Sequence, residues 1–104
     1  MKLVAPFLAA FAITAVSLPA LANLELAQKN GCTGCHAIDK KLVGPAYQEV
    51  AKKYASQPGA AAQLGDSIRK GGSGKWGPIP MPAQTLSLND VQTLASWLAD
   101  GAKQ

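Results

Sequence analysis

The 104-residue chain is poor in the residues that build most metal and disulfide sites, since it has only two cysteines and one histidine. A structural zinc site needs four cysteine or histidine ligands, so these three side chains exclude one. The chain has no arginine-rich run, no aromatic platform and a formal net charge of only +4, which argues against nucleic-acid binding. It also lacks strand-period alternation and internal repeats, so a parallel β/α architecture is not predicted.

The scarce cysteines and the histidine stand together, in the five residues Cys32-Thr33-Gly34-Cys35-His36. Two cysteines three apart, followed directly by histidine, are typical of covalent haem attachment, in which each thiol adds to a vinyl group. We therefore predict that Cys32 and Cys35 hold one haem c through two thioethers and that His36 is the proximal iron ligand. A local disulfide and a thioredoxin-like redox pair remain alternatives, although the second belongs to a βαβ unit that the sequence does not predict.

The N-terminus predicts export. Lys2 precedes an uncharged apolar run, Leu3 to Leu18, which leads to Pro19 and the tripeptide Ala20-Leu21-Ala22. This pattern is typical of a secretory signal peptide with an A-x-A cleavage site. We predict a signal peptide over residues 1–22, a single domain over 23–104 and a periplasmic location. The alternative is an uncleaved membrane anchor, because the apolar stretch is about long enough to cross a bilayer.

The spacing of apolar residues predicts an all-α domain of about four helices. The first would run from Leu24 to Asn30, the second from Pro45 to about Tyr54 and the third from Ala60 to Lys70. The fourth would be capped by Ser87 and closed by Gly101, with an apolar stripe of Leu88, Val91, Leu94, Ala95 and Leu98. A domain this short forms only a marginal core by itself, so a bound haem would supply much of its apolar centre.

A segment rich in glycine and proline, from Gly71 to Pro82, separates the last two predicted helices. It contains Met81, held between two prolines that restrict the backbone. We predict that Met81 is the second axial iron ligand, the alternative being ordinary core packing. An iron with both axial positions filled by protein is suited to electron transfer and not to an enzyme reaction. A haem-based ligand sensor or peroxidase with a labile Met81 is the alternative function.

With these motifs the chain resembles the bacterial class I c-type cytochromes, in particular the short monohaem periplasmic subgroup with His/Met ligation. The matching segments are CTGCHAID, LVGPAY at 42–47, WGPIPMP at 76–82 and LASWLAD at 94–100. The resemblance covers nearly all of residues 23–104. It implies a small cytochrome c fold, about four helices packed around one covalently attached haem, and the carriage of single electrons between respiratory redox partners.

The resemblance also assigns roles around the haem. Pro45 would offer its carbonyl to the imidazole of His36, and Trp76 would direct its indole N–H to a haem propionate. Ordinary core burial of Trp76 is also expected and would be compatible with this role. Gln84 stands where the subgroup often has an asparagine that contacts the methionine sulfur, and Trp97 would pack the last helix against the first.

One departure from the subgroup is Ser67, which replaces a basic residue expected near the propionates. The candidates to substitute for it are Arg69, Lys70 and Lys75.

The expected partners are other redox proteins, periplasmic or membrane-bound, such as a nitrite reductase, a terminal oxidase or a cytochrome bc1-type donor. Complexes of this kind are small and transient, so we predict a monomer without a stable partner. A set of lysines could steer acidic partners to the haem edge or simply keep the domain in solution; its members are Lys40, Lys41, Lys52, Lys53 and Lys75.

Overall fold

The computed structural model describes residues 2–13 and 21–104 of the protein. Residues 2–13 form no regular secondary structure, and their apolar side chains are exposed. Most of the predicted signal peptide's second half, including Pro19 and Ala20, lies outside the described residues. Among the described residues, no helix is both long and apolar enough to cross a bilayer.

The described part of the chain is all-α, as predicted. Its four helices are α1 (Leu21–Lys29), α2 (Tyr47–Tyr54), α3 (Ala60–Lys70) and α4 (Leu88–Ala99), and a single 3-10 turn covers Cys32–Gly34. No strand occurs in residues 2–13 and 21–104; β-type pairing there is limited to two isolated antiparallel bridges, His36 with Lys41 and Gly72 with Met81.

Helix α4 organises the core, since it packs along α3 and also contacts α1 and α2. Its start is set by Ser87, whose hydroxyl accepts a hydrogen bond from the backbone N–H of Asp90 at 3.1 Å. The predicted stripe is confirmed at Val91, Leu94, Ala95 and Leu98, which are buried. The prediction for Leu88 was wrong: as the first helical residue it lies at the edge of the stripe and is 60% exposed.

The other helices confirm most of the predicted faces. Helix α3 has the predicted bounds and buries Leu64 and Ile68. Helix α1 begins at Leu21, three residues earlier than predicted, and buries Ala27.

The predicted start of α2 was also wrong, because Pro45 is not its first residue. The backbone of Ala46 is extended (φ −59°, ψ 145°) and the helix begins at Tyr47. The cause is a set of bonds to the preceding loop, in which the N–H groups of Tyr47 and Gln48 donate to the carbonyls of Ala37 and Ile38 at 2.8 and 3.0 Å. These bonds draw the entry of α2 against the segment that follows the cysteines.

Candidate functional site

The two cysteines lie on a closed turn between α1 and the loop that leads to α2. Gly31 adopts a left-handed conformation (φ 76°), which ends α1 and starts the turn. The N–H groups of Cys35 and His36 both donate to the carbonyl of Cys32, at 3.1 and 3.0 Å. This turn holds Cys32, Cys35 and His36 in one short rigid segment.

Both cysteines are free thiols, so the local disulfide is not formed. Cys32 is half-buried and packs against the core, whereas Cys35 is exposed. Burial raises the pKa of the Cys32 thiol above its ordinary value, with the nearby Cys35 adding to the effect. The Cys32 thiol is therefore neutral at physiological pH, which opposes its use as a thiolate nucleophile in redox exchange.

The imidazole of His36 is fixed by one hydrogen bond. Its Nδ1 lies 2.7 Å from the carbonyl oxygen of Pro45. Because a carbonyl oxygen can only accept, Nδ1 must carry the proton, and Nε2 of the neutral ring keeps its lone pair. Nε2 is thus the atom that can bind a metal, and the carbonyl makes the ring a stronger donor to it.

Two further groups confine the same ring. A methyl group on Gly44 would lie 2.5 Å from Cε1 of His36 and 2.9 Å from Nδ1, so only glycine fits there. On another side the ring of Tyr47 stacks with the imidazole at a centroid distance of 5.5 Å and an interplanar angle of 29°. Sequence reasoning missed both supporting roles. Both residues belong to the LVGPAY segment, and its match to the resembled family was the feature of the sequence that could have indicated these roles.

Met81 is anchored to the end of α3 by its backbone. Its N–H donates to the carbonyl of Gly72 at 2.8 Å, and its carbonyl accepts from the N–H of Gly72 at 3.0 Å. The N–H of Gln84 donates to the carbonyl of Ile68 at 3.0 Å, which closes the loop beyond Met81. A side chain on Gly71 (φ 66°) would collide with the carbonyl of Met81. The glycines therefore allow the close approach that holds this partly buried thioether in place.

Trp76 lies on the same loop but does not belong to the core, since it is 37% exposed. The expectation of core burial for Trp76 was therefore wrong. The ammonium of Lys53 lies 4.5 Å above the indole ring and also donates to the carbonyl of Lys75 at 3.3 Å. These contacts tie the loop to the end of α2 and leave Trp76 partly exposed.

Other predicted residues have different partners. The side-chain amide of Gln84 donates to the carbonyl of Pro82 at 2.8 Å. The Ser67 hydroxyl donates to the carbonyl of Gln63 within α3. The indole N–H of Trp97 donates to the carbonyl of Lys103 at 3.0 Å, and its ring packs against Tyr47 of α2 at 5.2 Å. Trp97 therefore contacts the start of α2, a contact that the prediction for α1 did not include.

The donor set fits a haem better than a bare ion. In the part of the chain that the structure describes, no three His, Cys, Asp or Glu side chains gather to bind a metal by themselves. The loops around His36 and Met81 instead leave large apolar side chains in solvent, namely Leu42 (43% exposed), Val43 (51%) and Ile79 (60%). Two thiols, an imidazole nitrogen and a thioether, accompanied by uncovered apolar surface, are the groups that an apolar macrocycle with a central iron requires.

Comparison with known proteins agrees with this chemistry. The family model for cytochrome c matches residues 24–102. The chain is 53% identical over 73 residues to cytochrome c-551 of Pseudomonas aeruginosa, covering 70% of each chain. It is 54% identical over 74 residues to cytochrome c-551 of Azotobacter vinelandii, covering 71% of this chain and 90% of that one.

Solved structures extend the likeness to the fold. The crystal structure of wild-type cytochrome c552 from Nitrosomonas europaea superposes with a TM-score of 0.72 at 43% identity, over 75% of this chain and 98% of that one. The four-helix arrangement, the cysteine-histidine turn and these relatives lead to one conclusion. The chain belongs to the cytochrome c family, among the bacterial class I c-type cytochromes.

Proposed function

We propose that this protein carries single electrons between respiratory redox proteins in the periplasm, with one haem iron cycling between Fe(III) and Fe(II). Family membership implies covalently bound haem c and the role of an electron carrier. The observation that carries the finer proposal is the hydrogen bond from His36 Nδ1 to the Pro45 carbonyl, because it reserves Nε2 for iron.

In the proposed site, Cys32 and Cys35 would attach the haem through two thioethers, and His36 and Met81 would bind its iron. When bound, the haem supplies the one-electron redox couple. The Pro45 carbonyl keeps the imidazole of His36 in one orientation. Two backbone hydrogen bonds between Gly72 and Met81 fix the backbone from which the thioether extends. Trp76 would donate its indole N–H to a propionate. Filling both axial positions from the protein keeps small ligands off the iron and leaves electron transfer as its chemistry.

Export is part of the proposal. Residues 1–22 would be removed as a signal peptide, leaving 23–104 in the periplasm, where covalent haem attachment takes place in bacteria. The support is the apolar run after Lys2 and the Ala20-Leu21-Ala22 tripeptide. The intact mass of the protein purified from a host that attaches haem tests this. A mass that still includes residues 1–22 would favour a retained anchor.

The proposed partners meet this protein transiently. A nitrite reductase, a terminal oxidase or a cytochrome bc1-type donor would suit a monomeric carrier, and exposed lysines would favour partners with acidic docking surfaces. Rates of electron transfer that fall as salt is added would agree with this proposal.

The test of axial ligation is the absorption spectrum of Met81→Ala beside that of the wild type. The wild type should show sharp reduced bands and the weak near-infrared sulfur-to-iron band. The variant should keep its covalent haem but lose that band, and its potential should fall, because methionine raises the potential relative to nitrogen or oxygen ligands. An unchanged spectrum and potential would exclude Met81 as a ligand and move the sensor or peroxidase function forward.

A further inference from the structure

Two lysine ammonium groups, those of Lys53 and Lys75, each lie over an aromatic ring and have no acidic partner. Lys75 donates from Nζ to the hydroxyl of Tyr54 at 3.3 Å and lies 5.9 Å from the centre of that ring. Lys53 lies 4.5 Å above the ring of Trp76. Within residues 2–13 and 21–104, the ion pairs all involve Asp66, so neither ammonium has a carboxylate within 4.0 Å. An ammonium without a carboxylate partner can pair with a bound anion through a charge-assisted hydrogen bond.

The neighbouring cations on α3 are already engaged. Asp66 pairs with Arg69 at 4.0 Å and with Lys70 at 3.8 Å, and all three side chains are largely exposed. Ser67 donates within its own helix. Lys75 lines the same cavity as this part of α3, and that cavity also includes Gln63, Asp66, Ser67 and Lys70. Of the candidate cations beside Ser67, Lys75 alone pairs with no carboxylate in the described residues.

The position of Lys75 indicates which anion its ammonium would pair with. Its hydrogen bond to Tyr54 is partly buried, and the Tyr54 side chain is only 5% exposed. Lys75 directly precedes Trp76 on the loop that carries Met81. An ammonium has three donors, and Tyr54 accepts one, so two remain for a carboxylate. Because no carboxylate of the described residues pairs with Lys75, a propionate of the covalently attached haem is the permanent carboxylate available to it.

We propose that Lys75, oriented by Tyr54, is the cationic partner of the haem propionate next to Trp76. This assignment rests on the proposed function, because the propionate belongs to the proposed haem. Lys75 thereby supplies the charge that Ser67 lacks. The groups that face the site are Lys53 and Tyr54 from α2, and Asp66 and Lys70 from α3.

The experiment compares holoprotein variants by the pH dependence of the midpoint potential at low ionic strength. Lys75→Gln removes the ammonium, whereas Lys70→Gln makes the same charge change on the same cavity at a residue that already pairs with Asp66. Loss of an adjacent cation should move the propionate-linked step in potential upward by about one pH unit in Lys75→Gln. In Lys70→Gln and Lys75→Arg the step should stay at the wild-type pH. In Tyr54→Phe it should move upward by a smaller amount than in Lys75→Gln.

Two results would overturn the assignment. Equal shifts in Lys75→Gln and Lys70→Gln would reduce the effect to net charge. The second result has two parts: in Lys75→Gln the step stays at the wild-type pH, and electron transfer to an acidic redox protein becomes slower and less dependent on salt. That result would assign the Lys75 ammonium to partner docking. Failure of the proposed function is separately visible, since wild-type protein without a haem spectrum or the mass of an attached haem would refute both.

Discussion

Gly44→Ala should damage the protein by pushing on His36, the proposed proximal ligand. The added methyl carbon would lie 2.5 Å from Cε1 of His36, 2.9 Å from Nδ1 and 3.1 Å from Nε2. Carbon atoms in contact prefer about 3.5–4.0 Å, so the ring must retreat by about 1 Å. The ring cannot retreat freely, because Tyr47 stacks on it and the Pro45 carbonyl holds Nδ1 at 2.7 Å.

The cost has two parts. Overpacking of a confined group typically costs about 1–3 kcal/mol, and weakening a partly buried hydrogen bond costs about another 1 kcal/mol. We expect the free energy of unfolding of the haem-loaded protein to fall by about 2–4 kcal/mol. The potential should rise at the same time, because an imidazole with a weaker Pro45 bond is a poorer donor and stabilises Fe(III) less.

The assay is guanidinium unfolding followed by far-UV circular dichroism, together with a redox titration. Gly65→Ala is the matched control, because its methyl group would lie 3.4 Å from Val91 Cγ1 and 3.9 Å from Ala95, which are ordinary contacts. In the interior of α3 that change should leave stability unaltered or raise it by up to about 1 kcal/mol. If Gly44→Ala kept the parent's stability and potential, or if the two variants lost stability equally, confinement of His36 by Gly44 would be refuted.

Three further changes probe other contacts. Ser87→Ala should lower the free energy of unfolding by about 1 kcal/mol in denaturant titrations, because α4 loses its N-cap, and Ser87→Asp should retain the parent value; an unaffected Ser87→Ala would refute the cap's contribution. Tyr47→Phe should leave stability at neutral pH unchanged or raise it by about 1 kcal/mol, because the buried hydroxyl has no hydrogen-bond partner in the described residues; a clear loss would reveal one. Burial also raises the pKa of the Tyr47 phenol above its ordinary 10.0. The free energy of unfolding should therefore be unaffected by this group below about pH 10 and should decline above it, because the unfolded chain loses the phenol proton first. Tyr47→Phe should remove that decline in pH-dependent unfolding curves. Gly71→Ala should open the loop at Met81, with loss of the sulfur-to-iron band and of about 2 kcal/mol or more of stability; a preserved band would show that the loop tolerates the strain.

Elements that depend on neighbours in sequence were predictable. Helix α3 follows from the spacing of Leu64 and Ile68 and from the glycines after it, and the start of α4 follows from Ser87. The start of α2 was not predictable from Pro45, although proline is favoured at a first helical position. Hydrogen bonds to Ala37 and Ile38, about ten residues away in the chain, moved that start to Tyr47. Tertiary bonds overrode the local preference.

The sequence by itself determined the chemistry proposed for this protein, because the thiols and imidazole that attach a haem must stand at fixed short spacing, and Cys32, Cys35 and His36 have that spacing. Only the tertiary structure decided how that chemistry is tuned. The bond of His36 to Pro45 was expected only through the resemblance to a family. This bond, the backbone hydrogen bonds between Gly72 and Met81 and the hydrogen bond of Lys75 to Tyr54 each join residues 9 or more positions apart. Such contacts arise from the packing of helices and loops, and no local pattern of residues encodes them.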